Sequence, residues 1–226
     1  DPYRVYAQAQ IERIRDHESK EVWTDRFERR ELRNDWLAEE AAGPLVSLVD
    51  GELSIRGDFR ADGQARVLRQ YAAPDFVAVE LTLTVRPDNN ARVGLFVSKE
   101  RRRGAGQVDV QGIVAVARRK DGGLIVRTED RAAAEPQWED VPPPEGVDWW
   151  PLGEPVRLRI ERNGEGSEAT GRIVVDGLAV REGFGMRGLS SSTNELRVGV
   201  FVQGQTGLPA AVKIDDVQVV RRVAGR

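Results

Sequence analysis

The sequence predicts an all-β chain: an antiparallel two-sheet sandwich of jelly-roll type over residues 21–226, preceded by one amphipathic helix over residues 1–20. Three observations predict it. Apolar and polar residues alternate with a period of two in several segments, as strands with one buried face require. Asp-Gly and Asn-Gly pairs recur between those segments and supply the positive φ angles of tight hairpins. No strand–helix–strand alternation appears, which argues against a parallel sheet.

The elements follow in chain order. Tyr3, Ala7, Ile11 and Ile14 repeat at helical spacing within 3–20, with Tyr6 and Gln10 beside them and Glu12, Arg13, Asp16 and Lys20 opposite. A helix of that length is marginal alone in water, so its apolar face needs either the chain's own sandwich or another protein. His17 lies on this helix with no second ligand nearby, which marks a surface histidine. The pattern changes from Trp23 onward. Asp50-Gly51, Asp62-Gly63, Asp121-Gly122-Gly123, Asn163-Gly164 and Asp176-Gly177 punctuate roughly a dozen strands. Val77, Val79, Leu81, Leu83 and Val85 set one strand face, and Val156, Leu158 and Ile160 set another. Thr170–Arg181 reads as a hairpin about Asp176-Gly177. Val212 and Ile214 are out of phase with Val217 and Val219, so a bulge is expected at Asp215-Asp216. Arg92–Val97 and Arg197–Val202 echo each other, as two similar inner strands of one sandwich would. Residues 129–153 form the one long irregular stretch, rich in Pro and Trp.

Composition excludes several function classes. Apolar residues make up 40% and charged residues 31%, a globular balance with no apolar run long enough for a membrane helix. Cys is absent and His17 is the only histidine, which removes disulfides, Cys-based zinc sites and thiol nucleophiles. Residues 1–40 carry 8 basic and 11 acidic groups, and the rest is balanced at 26 against 26. No basic excess marks a nucleic-acid binder, and no nucleic-acid partner is expected. Only 4 of the 34 cations are Lys, which fits either a GC-rich genome or selection of Arg for bidentate contacts with carboxylates and phosphates. The chain opens on Asp1-Pro2, as a processed form or a fragment would, and an extracytoplasmic, peripheral location is the expectation.

Asp25–Leu32, then Trp36, then Val49-Asp50-Gly51-Glu52-Leu53 resemble the opening of concanavalin A-like lectin/glucanase domains, a LamG-like jelly roll. Pro155–Arg162 resembles their central strand, and Arg197–Val202 with Ile214–Val217 their closing pair. The resemblance covers about residues 21–222 and implies two sheets, with sugar binding or sugar hydrolysis common among relatives. Fold does not fix function.

Chemistry is sparser. Glycoside hydrolysis needs two carboxylates flanking the bond. Glucanases of this fold place them as Glu-x-Asp-x-x-Glu, whereas no Glu here is followed two residues later by Asp. The expectation is therefore no enzyme, no catalytic residue and no cofactor. Gly183-Phe184-Gly185-Met186-Arg187-Gly188 matches a dinucleotide fingerprint but lacks the βαβ context, so it reads as a glycine-rich loop. Arg101, Arg102 and Arg103 form a basic loop, either solvated or facing an anionic membrane or an acidic partner. Trp138, Trp149 and Trp150 either pack against the end of the sandwich, form a sugar-stacking platform or bind protein. No metal site is expected; Asp215 and Asp216, with Asp25 or Asp50, are weak calcium candidates against a plain bulge with solvated acids.

Two functional readings follow. In the main one, the chain is a non-catalytic structural subunit. It docks onto other protein subunits of a larger, membrane-associated assembly through Tyr3, Tyr6, Ala7, Ile11, Ile14 and Arg101–Arg103. In the alternative, it is a carbohydrate-binding module of an extracytoplasmic glycan-processing protein, with Trp138, Trp149 and Trp150 at the ligand.

Overall fold

The computed structural model describes residues 20–29, 31–32, 36–72, 75–102, 108–130, 136–164, 168–189 and 195–222. The predicted helix, with Tyr3, Tyr6, Ala7, Ile11 and Ile14, and the loop residue Arg103 lie outside them. The strands run in order β1 (Lys20–Asp25), β2 (Leu37–Glu39), β3 (Leu45–Val49), β4 (Glu52–Asp58), β5 (Gly63–Ala72), β6 (Phe76–Val85), β7 (Arg92–Arg102) and β8 (Val108–Arg118). They continue through β9 (Leu124–Glu129), β10 (Glu139–Val141), β11 (Pro155–Asn163), β12 (Thr170–Val175), β13 (Leu178–Gly185), β14 (Glu195–Gly204) and β15 (Pro209–Arg222). Lys20, assigned by periodicity to the end of the helix, instead opens β1 and pairs with Arg222.

All pairings are antiparallel and form two sheets. One is eight-stranded, ordered β13-β12-β11-β6-β15-β4-β3 with β1 also on β15; the other is seven-stranded, ordered β10-β9-β8-β7-β14-β5-β2. The period-2 residues supply the layer between them. Val79, Leu81 and Leu83 of β6, Leu158 and Ile160 of β11, and Val198 and Val200 of β14 are all buried there. Two of the Asp-Gly signals form tight hairpins, whereas Asp62-Gly63 links β4 of one sheet to β5 of the other. Asp50 and Gly51 adopt φ of 53° and 79° between β3 and β4, and Asp176 and Gly177 adopt 46° and 82° between β12 and β13. The phase change near the C-terminus is a register shift between Ile214 and Asp216 against β6. The glycine-rich segment carries no nucleotide-type helix: it ends β13 and passes into a short 3-10 turn, Arg187–Leu189.

The opening motif acts as a fastener. Asp25 accepts hydrogen bonds from the Phe27 backbone N–H (2.9 Å), Trp36 Nε1 (2.8 Å) and Arg29 Nη2 (2.7 Å). Burial opposes ionisation of Asp25, but these donors outweigh it and hold the carboxyl below its usual pKa. Phe27 and Trp36 then fill one end of the core, with ring centroids 5.7 Å apart.

Candidate functional site

The eight-stranded sheet's partner is apolar on both faces in its middle. Leu68, Phe96, Ala115, Ala117, Ile125 and Phe201 form a second buried cluster on the outer face of the seven-stranded sheet, separate from the inter-sheet core. Ile113 and Trp138 pack against it. Phe96 and Phe201 meet edge to face at 6.2 Å, and Trp138 lies tilted over Phe201 at 6.2 Å. Register explains how two large rings fit here. Gly199 sits opposite Phe96, and Gly94 opposite Phe201. A Cβ on Gly199 would come within 2.0 Å of the Val67 carbonyl oxygen, so only glycine permits this approach.

Beside the aromatic floor lies a buried ionic network. The Glu100 side chain is 1% exposed and those of Arg66 and Arg197 are 8% and 6% exposed. Glu100 Oε1 accepts from Arg66 Nη1 (2.6 Å) and Ser98 Oγ (2.8 Å), and Oε2 accepts from Arg197 Nη1 (2.7 Å). Arg66 also donates through Nε to Glu39 Oε2 at 2.7 Å. Desolvation alone would weaken the charge on Arg66, but Glu100 and Glu39 reverse that and raise its pKa.

A cleft of about 530 Å³ opens over this floor, with Arg66, Arg92, Glu100, Trp138, Phe201 and Gln203 among its walls. A neighbouring cleft of about 480 Å³ shares Gly63, Arg92 and Gln203 with it. Trp138 is positioned by a short chain of contacts. Arg127 holds Glu129 in a bidentate pair (2.6 and 2.8 Å), and Glu129 Oε1 accepts the Gln137 backbone N–H at 2.9 Å. Arg92 then lies over the Trp138 ring, 4.9 Å from its centroid, and donates to Gln203 Oε1 at 3.2 Å. A partly buried indole flanked by amides and guanidinium groups suits the C–H face and hydroxyls of a sugar ring.

The structure separates the sequence-derived candidates. Trp138 belongs to the cleft. Trp149 and Trp150 do not: they are 7% and 0% exposed within the inter-sheet core, and Trp149 Nε1 donates to the Val141 carbonyl. Such buried rings cannot stack on a ligand, so the expected trio reduces to one. Arg101 is exposed near the end of β7, opposite Asp109, and Arg102 closes that strand. Asp215 and Asp216 occupy the bulge on the other sheet. Burial first, then Glu52 and a hydrogen bond shared with it, raise the Asp215 pKa. Asp216 accepts from Gln218. Among the described residues, no three His, Asp or Glu side chains gather as a metal set. Asp25 is committed to Arg29 and Trp36, and Asp50 to its hairpin. Arg66, Arg92, Phe96, Glu100 and Phe201 were not singled out from the sequence. The available signal was the outward phase of the echoed segments, Arg-Val-Gly-Leu-Phe-Val and Arg-Val-Gly-Val-Phe-Val, which places an Arg, a Gly and a Phe on one face in each copy.

No family model matches the sequence, and no curated protein matches it. Solved structures do match. An endo-β-galactosidase from Clostridium perfringens that releases GlcNAcα1-4Gal superposes with a TM-score of 0.62 at 9% identity, over 92% of this chain and 64% of that one. An endo-β-1,3-glucanase from Pyrococcus furiosus gives 0.59 at 15% identity, over 90% and 94% of the two chains. The carbohydrate recognition domain of Emp47p gives 0.61 at 14% identity, over 89% and 95%. The chain therefore has the concanavalin A-like jelly-roll fold. Two expectations are corrected by the same finding. Several of the matched structures are glycan-cleaving enzymes and one is a carbohydrate recognition domain, which overturns the reading of a non-catalytic assembly subunit. The expectation of no enzyme fell with it, because the missing Glu-x-Asp-x-x-Glu spacing was a test of one motif rather than of the fold. Among the described residues, no helix is long and apolar enough to cross a membrane.

Proposed function

We propose that this chain engages a glycan on the outer face of its seven-stranded sheet, as the carbohydrate-recognising part of an extracytoplasmic glycan-processing protein. One observation carries the reading: Trp138 stands partly buried against the Phe96–Phe201 floor, inside a cleft walled by amide and guanidinium groups. Aromatic stacking supplies contact area, and the fixed polar groups supply orientation. Carboxylates on the same face, Glu39, Glu100 and Glu129, are each held by arginines. The test is a glycan array probed with the soluble chain, followed by calorimetry on the best hit and an assay of that glycan for new reducing ends. Trp138→Ala is expected to weaken binding about tenfold or more, roughly 1.4 kcal/mol, while Trp149→Phe leaves it unchanged. Binding to no glycan, or binding indifferent to Trp138, overturns the reading.

A further inference from the structure

The charges around the cleft do not cancel evenly. Each lining carboxylate has its own donors: Glu100 has Arg66, Arg197 and Ser98, Asp62 has the Thr206 backbone N–H and hydroxyl, and Asp121 has Arg119 and the Gly123 N–H. Arg66, Arg127 and Arg119 are in turn paired with Glu39 and Glu100, with Glu129, and with Asp121 and Asp140. Arg92 is the exception. It lines both clefts, yet among the described residues its polar contact is a neutral amide and its other contact is an indole face.

Arg92 is also in an unfavourable setting. Desolvation, and then the like charge of Arg119, lower its pKa from the ordinary guanidinium value. A partly desolvated cation facing another cation without a counter-ion costs stability in the free protein. Its geometry is nevertheless that of a receptor. The guanidinium over the Trp138 ring carries five N–H donors, and Gln203 takes only one of them. The remaining fork matches a carboxylate or a sulfate ester in a bidentate mode. Lys120 adds a second cation to the neighbouring cleft.

We infer that the glycan taken by this cleft is anionic, carrying a uronate carboxylate or a sulfate ester that pairs with Arg92 while an adjacent ring stacks on Trp138. This rests on the glycan reading of the same cleft and narrows it to a chemical class. A neutral glycan would leave Arg92 without a counter-charge, whereas an acidic one removes the strain that the free protein carries.

The experiment compares three probes of equal length by calorimetry: an oligogalacturonide, its carboxyl-reduced neutral counterpart, and a sulfated galactan oligosaccharide. One of the two anionic probes is expected to bind about tenfold or more tightly than the neutral one, and which one does so distinguishes carboxylate from sulfate. Arg92→Gln is expected to weaken binding of the anionic probe about tenfold or more and of the neutral probe far less, with the fold of the variant checked by its melting curve. Arg92→Lys, which keeps the charge and loses the fork, is expected to retain only part of the anionic preference. Equal binding of neutral and anionic probes overturns the inference alone. So does an Arg92→Gln variant that loses both to the same extent, since Arg92 would then act only by steadying Trp138. If none of the three probes binds and the array is also blank, the glycan reading itself has failed.

Discussion

Replacing Glu100 by Ala removes the anion that two nearly buried guanidinium groups share. With 8% and 6% of their side chains exposed, Arg66 and Arg197 have little water to turn to. Breaking a buried ion pair from one side costs about 3–5 kcal/mol, because an uncompensated charge stays behind. Glu39 offsets part of this. It keeps its bond to Arg66, and its Oε1 lies 3.8 Å from Arg197 Nη1. The cost should therefore fall near the lower bound, about 3 kcal/mol, or on the order of 10 °C in melting temperature for a domain of this size. Urea unfolding followed by tryptophan fluorescence measures it directly, with the slope checked to be unchanged. The triple variant Arg66→Met, Glu100→Leu, Arg197→Met supplies the counter-test, since a well-packed apolar replacement of a whole buried network is often neutral or stabilising. A loss below about 1 kcal/mol for Glu100→Ala, the size of an exposed pair, would refute the argument that this network is desolvated.

The Asp215 and Asp25 carboxyls predict opposite pH behaviour. Asp215 has a raised folded pKa, so its favourable protonated form is fully present below its unfolded pKa and lost as pH rises through the folded one. Asp215→Asn should therefore melt higher than the parent at pH 7, with the gap closing as pH falls, in thermal scans across the acidic range. Asp25 has a lowered folded pKa, so its contribution is present above the unfolded value and disappears as pH falls through the folded one. Asp25→Asn should cost about 2 kcal/mol at neutral pH, the scale of hydrogen bonds to a charged acceptor, and the difference should vanish in strong acid.

Much of the fold was legible because period-2 alternation reports which side of a strand is buried. Residues 77–85 did so without ambiguity, and the phase slip at Asp215-Asp216 located a bulge. The site was less legible for the same reason. Period-2 alternation assigns the off-phase residues to solvent, and Phe96, Ser98, Glu100, Arg197 and Phe201 are off-phase yet have buried side chains. Nothing in the local sequence distinguishes Trp138 from Trp149 and Trp150. The difference arises from Glu129 drawing Gln137 across β9, while Trp150 closes the core and its carbonyl accepts from Arg118 Nε. Neighbouring strands decided these positions, and single-strand patterns carry no information about neighbours.

The echoed segments of β7 and β14 have a geometric consequence. They lie side by side in a register that pairs Leu95 with Val200, Phe96 with Gly199 and Gly94 with Phe201. A local pseudo-dyad normal to the sheet thus passes between Leu95 and Val200 and exchanges the two strands, carrying Phe96 onto Phe201 and Arg92 onto Arg197. The ionic residues break that symmetry. The offset that carries Arg92 to Arg197 carries Ser98 to Gln203 and Glu100 to Gln205. One diagonal corner of the floor is consequently neutralised by a carboxylate and the other is left cationic beside an amide. A symmetric platform would present the same groups to an extended polymer laid across it in either sense, whereas this floor has a head and a tail, so under the proposed glycan reading the two directions meet different groups.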